Sequence, residues 1–270
     1  MNNILRSLAG VALLVATLMG AGCSDDETAG PKSPTPKIAI YSGNGCWAES
    51  ITAGQRMFEW MGYRCEIVSA QRINSEGLDG FSIIYIPGGN MYQYAQDISS
   101  EGKANVRSFV SNGGGYIGIC GGAYFASRHI RWQGTDFIVE SLQLFEGMAV
   151  GPVDQIEPYP GFDMCEMAIV DHAHPITSPA PASEWILYYW GPALIPDTGV
   201  QVSILGRYAI TNQPAMVAFS YGKGRVFLIG THPEIEEDSS RDSVVFGDEL
   251  DDQGSEWDLM KRATRWCLKK

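Results

Sequence analysis

The strongest constraint on this chain is the run Gly113-Gly-Gly-Tyr-Ile-Gly-Ile-Cys120-Gly-Gly-Ala-Tyr-Phe-Ala126. Its apolar part, residues 116–119, predicts a buried strand, and residues 123–128 predict the start of a helix, so Cys120 falls at the junction. Gly118 before the cysteine, and Gly121 and Gly122 after it, remove side chains that would clash in so sharp a turn. A thiol held there sits over the free N–H groups that open a helix, which favours the thiolate. The Gly121 N–H could also stabilise an oxyanion. The alternative is a structural cysteine in a glycine-rich packing site, since free cysteine is often core.

The flanking patterns extend this constraint to a whole sheet. Residues 37–43 predict a first buried strand entering a Gly-Asn-Gly loop, 50–61 a helix, 66–68 a second strand, and 82–87 a third that ends in Gly88-Gly89. Residues 99–112 predict a helix with Val106, Phe109 and Val110 on one face. Strands alternating with helices at this spacing imply βαβ units and a mainly parallel sheet. Ligands of such sheets bind at the carboxyl ends of the strands, where the loops at 43–46 and 88–92 and Cys120 would converge. In the second half, residues 167–170, 185–190, 200–205, 215–220 and 225–230 predict further strands, some antiparallel, and 257–268 a closing amphipathic helix.

Ahead of this domain, Arg6 is followed by an apolar run over residues 8–19 and then Gly20-Ala-Gly-Cys23. The run is short for a membrane span, which needs roughly 20 residues, and reads as a secretory signal over residues 1–22. It resembles a bacterial lipoprotein signal, which implies lipidation of Cys23 and a membrane anchor. Ser24, with no aspartate at that place, is what this resemblance associates with the outer membrane, facing the periplasm. Gly20 stands where such signals carry a large aliphatic residue, and an ordinary signal peptide cut nearby is the alternative. Residues 23–36 hold three prolines and no apolar periodicity, and read as a flexible tether. Residues 37–270 are expected to form one α/β domain.

The formal net charge of −12 makes nucleic acid an unsuitable partner. Much of it lies in residues 234–256, where ten acidic residues face the single Arg241, and a solvated acidic loop is expected. Asp248-Glu-Leu-Asp-Asp252 lacks the spacing of an EF-hand loop. Asp171-His-Ala-His174-Pro175 reads as a turn, because two histidines need further ligands to hold a divalent ion. Neither a metal nor any other cofactor is expected. Export to an oxidising compartment leaves Cys46, Cys65, Cys165 and Cys267 to form at most two disulfides, or none, if Cys120 stays free; a Cys46–Cys120 bridge would block the nucleophile.

The second half of the site is expected at Arg225-Val-Phe-Leu-Ile-Gly-Thr-His232-Pro-Glu234, a buried strand running into a constrained turn. A cysteine nucleophile gains from an imidazole that takes its proton, and the imidazole from a carboxylate that orients it. His232 and Glu234, two residues apart around Pro233, could point the same way. Gly88 and Gly89 could supply a second oxyanion N–H opposite Gly121. Trp47, Asn90, Tyr92, Tyr94, Tyr124, Tyr188 and Trp190 fall in or near predicted loops and are candidates to line a substrate pocket, with core packing as the alternative for the aromatics.

Gly118-Ile-Cys-Gly-Gly122 together with His232-Pro-Glu234 resembles the class I glutamine amidotransferase-like superfamily. Within it the chain looks most like the biotin-protein ligase N-terminal domain family. Tyr41-Ser-Gly-Asn-Gly45, Ile86-Pro-Gly-Gly-Asn90, the segment 114–127, Gly147-Met-Ala-Val-Gly-Pro152, Tyr188-Tyr-Trp-Gly-Pro192 and Gly230-Thr-His-Pro-Glu234 carry that likeness. It implies a flavodoxin-like three-layer α/β/α sandwich, with Cys120 as nucleophile, His232 as base and Glu234 as orienter, acting on an amide or related acyl bond of a small-molecule or peptide-like substrate. Two departures matter. Tyr124 stands where these amidotransferases usually carry glutamine, and nothing in the chain resembles the Gly-Arg-Gly-Arg adenylate loop of a biotin ligase, so ligase activity is not expected. A binding or scaffold lipoprotein on the same fold is the alternative.

Overall fold

Every side chain of Ile83-Ile-Tyr-Ile86 is buried, as is every residue of Gly115-Tyr-Ile-Gly-Ile119, and strands without a solvent face must be covered on both sides. The computed structural model of the protein describes residues 35–237, 239–250 and 254–270. The signal, Cys23 and nearly all of the tether lie outside the described residues.

The first half runs β1 (Lys37–Tyr41), α1 (Ala48–Trp60), β2 (Arg64–Val68), α2 (Ala70–Ser75), β3 (Ile83–Ile86), α3 (Met91–Asp97), α4 (Ser100–Ser111), β4 (Gly115–Ile119) and α5 (Gly121–Ala126). The second half runs β5 (Ser127–Trp132), β6 (Thr135–Phe137), β7 (Phe145–Gly151), β8 (Asp163–Ile169), β9 (Ser183–Tyr188), β10 (Ala193–Pro196), β11 (Ser203–Tyr208), β12 (Pro214–Tyr221), β13 (Gly224–Ile229) and α6 (Trp257–Cys267). The large sheet has the order β2-β1-β3-β4-β13-β12-β11-β8-β9. Its first five strands are mutually parallel and the last four continue it antiparallel. Mixed α/β architecture, a mainly parallel core and added antiparallel strands all match the expected fold class.

On one face α1 and α6 bury Met57, Phe58, Met260 and Ala263 against Ile40, Ile117 and Ile229. On the other, α2 to α5 pack with a second sheet of order β10-β7-β5-β6 against Tyr116, Val217 and Leu228. That second sheet corrects one expectation. The helix after Cys120 stops at Ala126, and Ser127 opens β5 instead of continuing the helix. The Ser127 hydroxyl donates to the Ala123 carbonyl, 2.9 Å away, and β7 takes up the strand that follows.

The acidic stretch is also not solvated throughout. Glu236, Glu237, Asp242 and Glu256 are buried, whereas Asp248 and Glu249 are exposed. Asp242 accepts from the Glu236 and Val244 N–H groups at 2.9 and 3.0 Å, which folds the segment back on itself. Burial raises the carboxyls of Glu236, Asp242 and Glu256 above their ordinary range.

Candidate active site

Three adjacent parallel strands assemble the site. β4 lies between β3 and β13, with Ile86 paired to Gly118 and Ile229 paired to Ile119. Their carboxyl ends therefore deliver Gly88-Gly89, Cys120 and His232 to one place, although these residues are more than a hundred positions apart at the extremes.

Cys120 has φ 47° and ψ −103°, a left-handed conformation that costs a non-glycine residue on the order of 1–3 kcal/mol. The surrounding hydrogen bonds over-determine it. Its N–H donates to the Ile229 carbonyl at 2.9 Å, and its own carbonyl accepts from Ala123 and Tyr124, each at 3.0 Å. A Cβ on Gly121 would sit 2.4 Å from the Gly89 carbonyl, so only glycine lets the two turns approach. The N–H groups of Gly89 and Gly121 have no hydrogen-bond acceptor among the described residues. Gly88 differs: its N–H donates to Ser50 Oγ at 2.9 Å, which leaves Gly89 as the donor opposite Gly121.

His232 and Glu234 are fully buried. His232 Nδ1 lies 2.9 Å from Glu234 Oε1, while Nε2 has no partner among the described residues. Burial alone would lower the imidazole; the Glu234 carboxylate, followed by the Cys120 sulfur, outweighs it and pushes the group up to about 10. The Glu234 carboxylate thus favours the protonated form of the ring beside the cysteine. Ser50, on α1, was not singled out by its sequence context. Its hydroxyl donates to Glu234 Oε1 at 2.5 Å and accepts from Gly88, tying the carboxylate to the β3 exit. Glu234's own carbonyl is anchored by Trp257 Nε1 at 3.1 Å, from the start of α6.

Cys120 and His232 open into a cavity of about 500 Å³. Asn90, Tyr124 and Trp190 line it with Gly89, as do Trp47 and Tyr92. Tyr188 does not: it is buried in the core, with its hydroxyl accepting from Val153 and donating to Gly191. Its neighbour Tyr189 lines the cavity instead, because the chain turns at the end of β9. Tyr94 is likewise internal, and its hydroxyl donates to the Gly88 carbonyl. Sequence reasoning did not point to Trp132, Phe137 and Tyr159, which reach the cavity from β5, β6 and the loop before β8. Asn90 Oδ1 is committed to capping α3 at Tyr92 N–H. The five described cysteines are free thiols, Cys46 and Cys120 included.

A sequence profile described as "Biotin-protein ligase, N terminal" matches residues 36–261. Over 220 residues the chain is 26% identical to a biotin–protein ligase of Schizosaccharomyces pombe, covering 75% of this chain and 34% of the ligase. A 74-residue stretch is 36% identical to an uncharacterized protein of Chlamydia muridarum, covering 26% of this chain and 29% of that one. The chain thus spans about a third of the length of the curated relatives it matches. Among solved structures, PurLQS from Thermotoga maritima superposes with a TM-score of 0.59 at 15% identity, covering 86% of this chain and 99% of the matched one. A glutamine amidotransferase from Thermotoga maritima gives 0.54 at 10% identity, covering 87% and 99%. A ThuA-like protein from Bacteroides uniformis gives 0.58 at 15%, covering 88% and 94%. These likenesses establish the flavodoxin-like amidotransferase fold.

Proposed function

The chain belongs to the biotin-protein ligase N-terminal family, and from that premise and the geometry of its site we propose that it is a cysteine-nucleophile hydrolase or amidotransferase-like enzyme, without biotin ligase activity, acting on an amide or related acyl bond. The observation that carries the proposal is the buried His232–Glu234 pair, whose free Nε2 shares a cavity with a cysteine on a strained turn. The Cys120 thiolate attacks the acyl carbon, and the carbonyl electron pair moves to oxygen, where the Gly89 and Gly121 N–H groups stabilise it. His232 Nε2–H gives its proton to the departing amine, leaving a thioester. Water, deprotonated by His232, then attacks the thioester; the carboxylic acid leaves and the thiolate and imidazolium are restored. In the same proposal, Cys23 carries a lipid that anchors the enzyme to the outer membrane, facing the periplasm.

A second reading, a non-catalytic binding lipoprotein, is favoured by Tyr124. Its ring packs on Trp132 and its hydroxyl donates to the Trp190 carbonyl at 3.0 Å, so the position usually held by glutamine serves the cavity wall. Iodoacetamide labelling of Cys120 against pH, followed by peptide mass mapping, separates the two. Fast labelling well below pH 8.5, lost in His232→Ala, supports the enzyme; slow labelling in both proteins sinks it.

A further inference from the structure

The cavity's own chemistry narrows what it accepts. Eight of its fourteen lining residues are aromatic, and none is Lys, Arg, Asp or Glu. The rings form a continuous wall: Trp47 packs on Tyr189 at 5.2 Å, Tyr189 on Trp190 at 4.1 Å, Trp190 on Tyr159 at 4.5 Å, and Tyr159 on Trp132 at 5.9 Å. Trp190, the central ring, has φ 63° and is locked at both ends, its carbonyl by Tyr124 and its Nε1 by the Gly161 carbonyl at 2.9 Å. The two hydrogen bonds hold the strained tryptophan in its place in the wall.

We propose that the acyl group bound beside Cys120 is neutral and aromatic, an arylacetyl-type amide or ester in place of free glutamine. This rests on the catalytic reading above and names its substrate class. The α-ammonium of an amino acid would lose water in a cavity whose lining holds no carboxylate, and its α-carboxylate in one that holds no Lys or Arg, where the His232 ring is already paired with Glu234. A quaternary ammonium would suit the rings, but the lining holds no Asp or Glu to pair with it. A flat neutral ring, by contrast, gains offset or edge-to-face contacts at no desolvation cost.

The test uses the full chain in two arms. Phenylacetamide, glutamine and tetramethylammonium are titrated against Cys120→Ala by tryptophan fluorescence. Phenylacetamide is expected to bind at least about tenfold tighter than the other two. Tyr159→Ala, at a residue 46% exposed and so removable without hollowing the core, is expected to weaken it about fivefold. Wild type is separately incubated with p-nitrophenyl phenylacetate. Attack by the Cys120 thiolate forms the S–C bond, breaks the C–O bond and releases p-nitrophenolate, leaving phenylacetyl-Cys120 visible by mass. Preferential phenylacetamide binding without acylation supports the aromatic site and refutes the catalytic reading. Acylation together with equal or tighter binding of glutamine or tetramethylammonium overturns the substrate class and leaves catalysis standing.

Discussion

A methyl group on Gly88 would lie 2.4 Å from His232 Cε1, so the imidazole is packed directly on a bare Cα. Gly88→Ala is therefore expected to push the ring off its position. Turnover should fall about 100-fold, the usual cost of a displacement near 1 Å, while overpacking lowers stability by about 1–3 kcal/mol. Kinetics and urea melts on the same preparation check both. Ser50 gives a complementary case. Ser50→Ala removes the donor to Glu234 Oε1 and leaves the buried Gly88 N–H without an acceptor. It should cost about 1–3 kcal/mol and slow Cys120 labelling at neutral pH, whereas Ser50→Thr should restore much of both. Neither role was legible locally: Ser50 is one polar residue on a helix, and its partner lies 184 positions away.

At the scale of elements, patterning reported the buried parallel strands well, because Ile83-Ile-Tyr-Ile86 and Gly115–Ile119 have no solvent face to confuse the signal. It failed for β7, where Gly147 and Gly151 interrupt an otherwise alternating strand, and for α2 and α3, which are six and seven residues long and held by the Ser69 and Asn90 caps. The segment leading into α6 failed differently, since acidic composition suggested solvent where tertiary packing supplies burial. Glu256, at the N-cap of α6, is 2% exposed, and its Oε2 has no partner among the described residues. Glu256→Gln should accordingly stabilise the protein at pH 8 by about 1 kcal/mol or more. Denaturant melts of the two proteins should converge below pH 5, where the carboxyl of the parent is neutral.

For the whole molecule, the two kinds of buried group act in the same direction. Glu236, Asp242 and Glu256 are raised by burial, and His232 is raised from 6.5 to about 10 by Glu234 and Cys120 against the opposing effect of burial. A group raised in the folded state binds protons more tightly there than in the unfolded chain. Its contribution is complete below the unfolded pKa and is lost as pH rises through the folded one. The melting temperature should therefore decline from about pH 5 to pH 10. The part of that decline between pH 6.5 and about 10 should shrink in His232→Ala. A flat profile over that upper range would show that the imidazole is not held protonated.

The sequence by itself determined the parallel α/β core, the sharp turn at Cys120 and the His-Pro-Glu turn, because each follows from contiguous residues: an apolar run, glycines where side chains would clash, and a proline between two polar groups. Only the tertiary structure decided that β13 lies beside β4, that Gly89 and not Gly88 keeps a free N–H, that Tyr189 replaces Tyr188 in the wall, and that Glu236, Glu237, Asp242 and Glu256 are buried. Those outcomes depend on which distant backbone or side chain takes up each hydrogen bond and covers each face, and that information is spread across pairs of residues far apart in the chain.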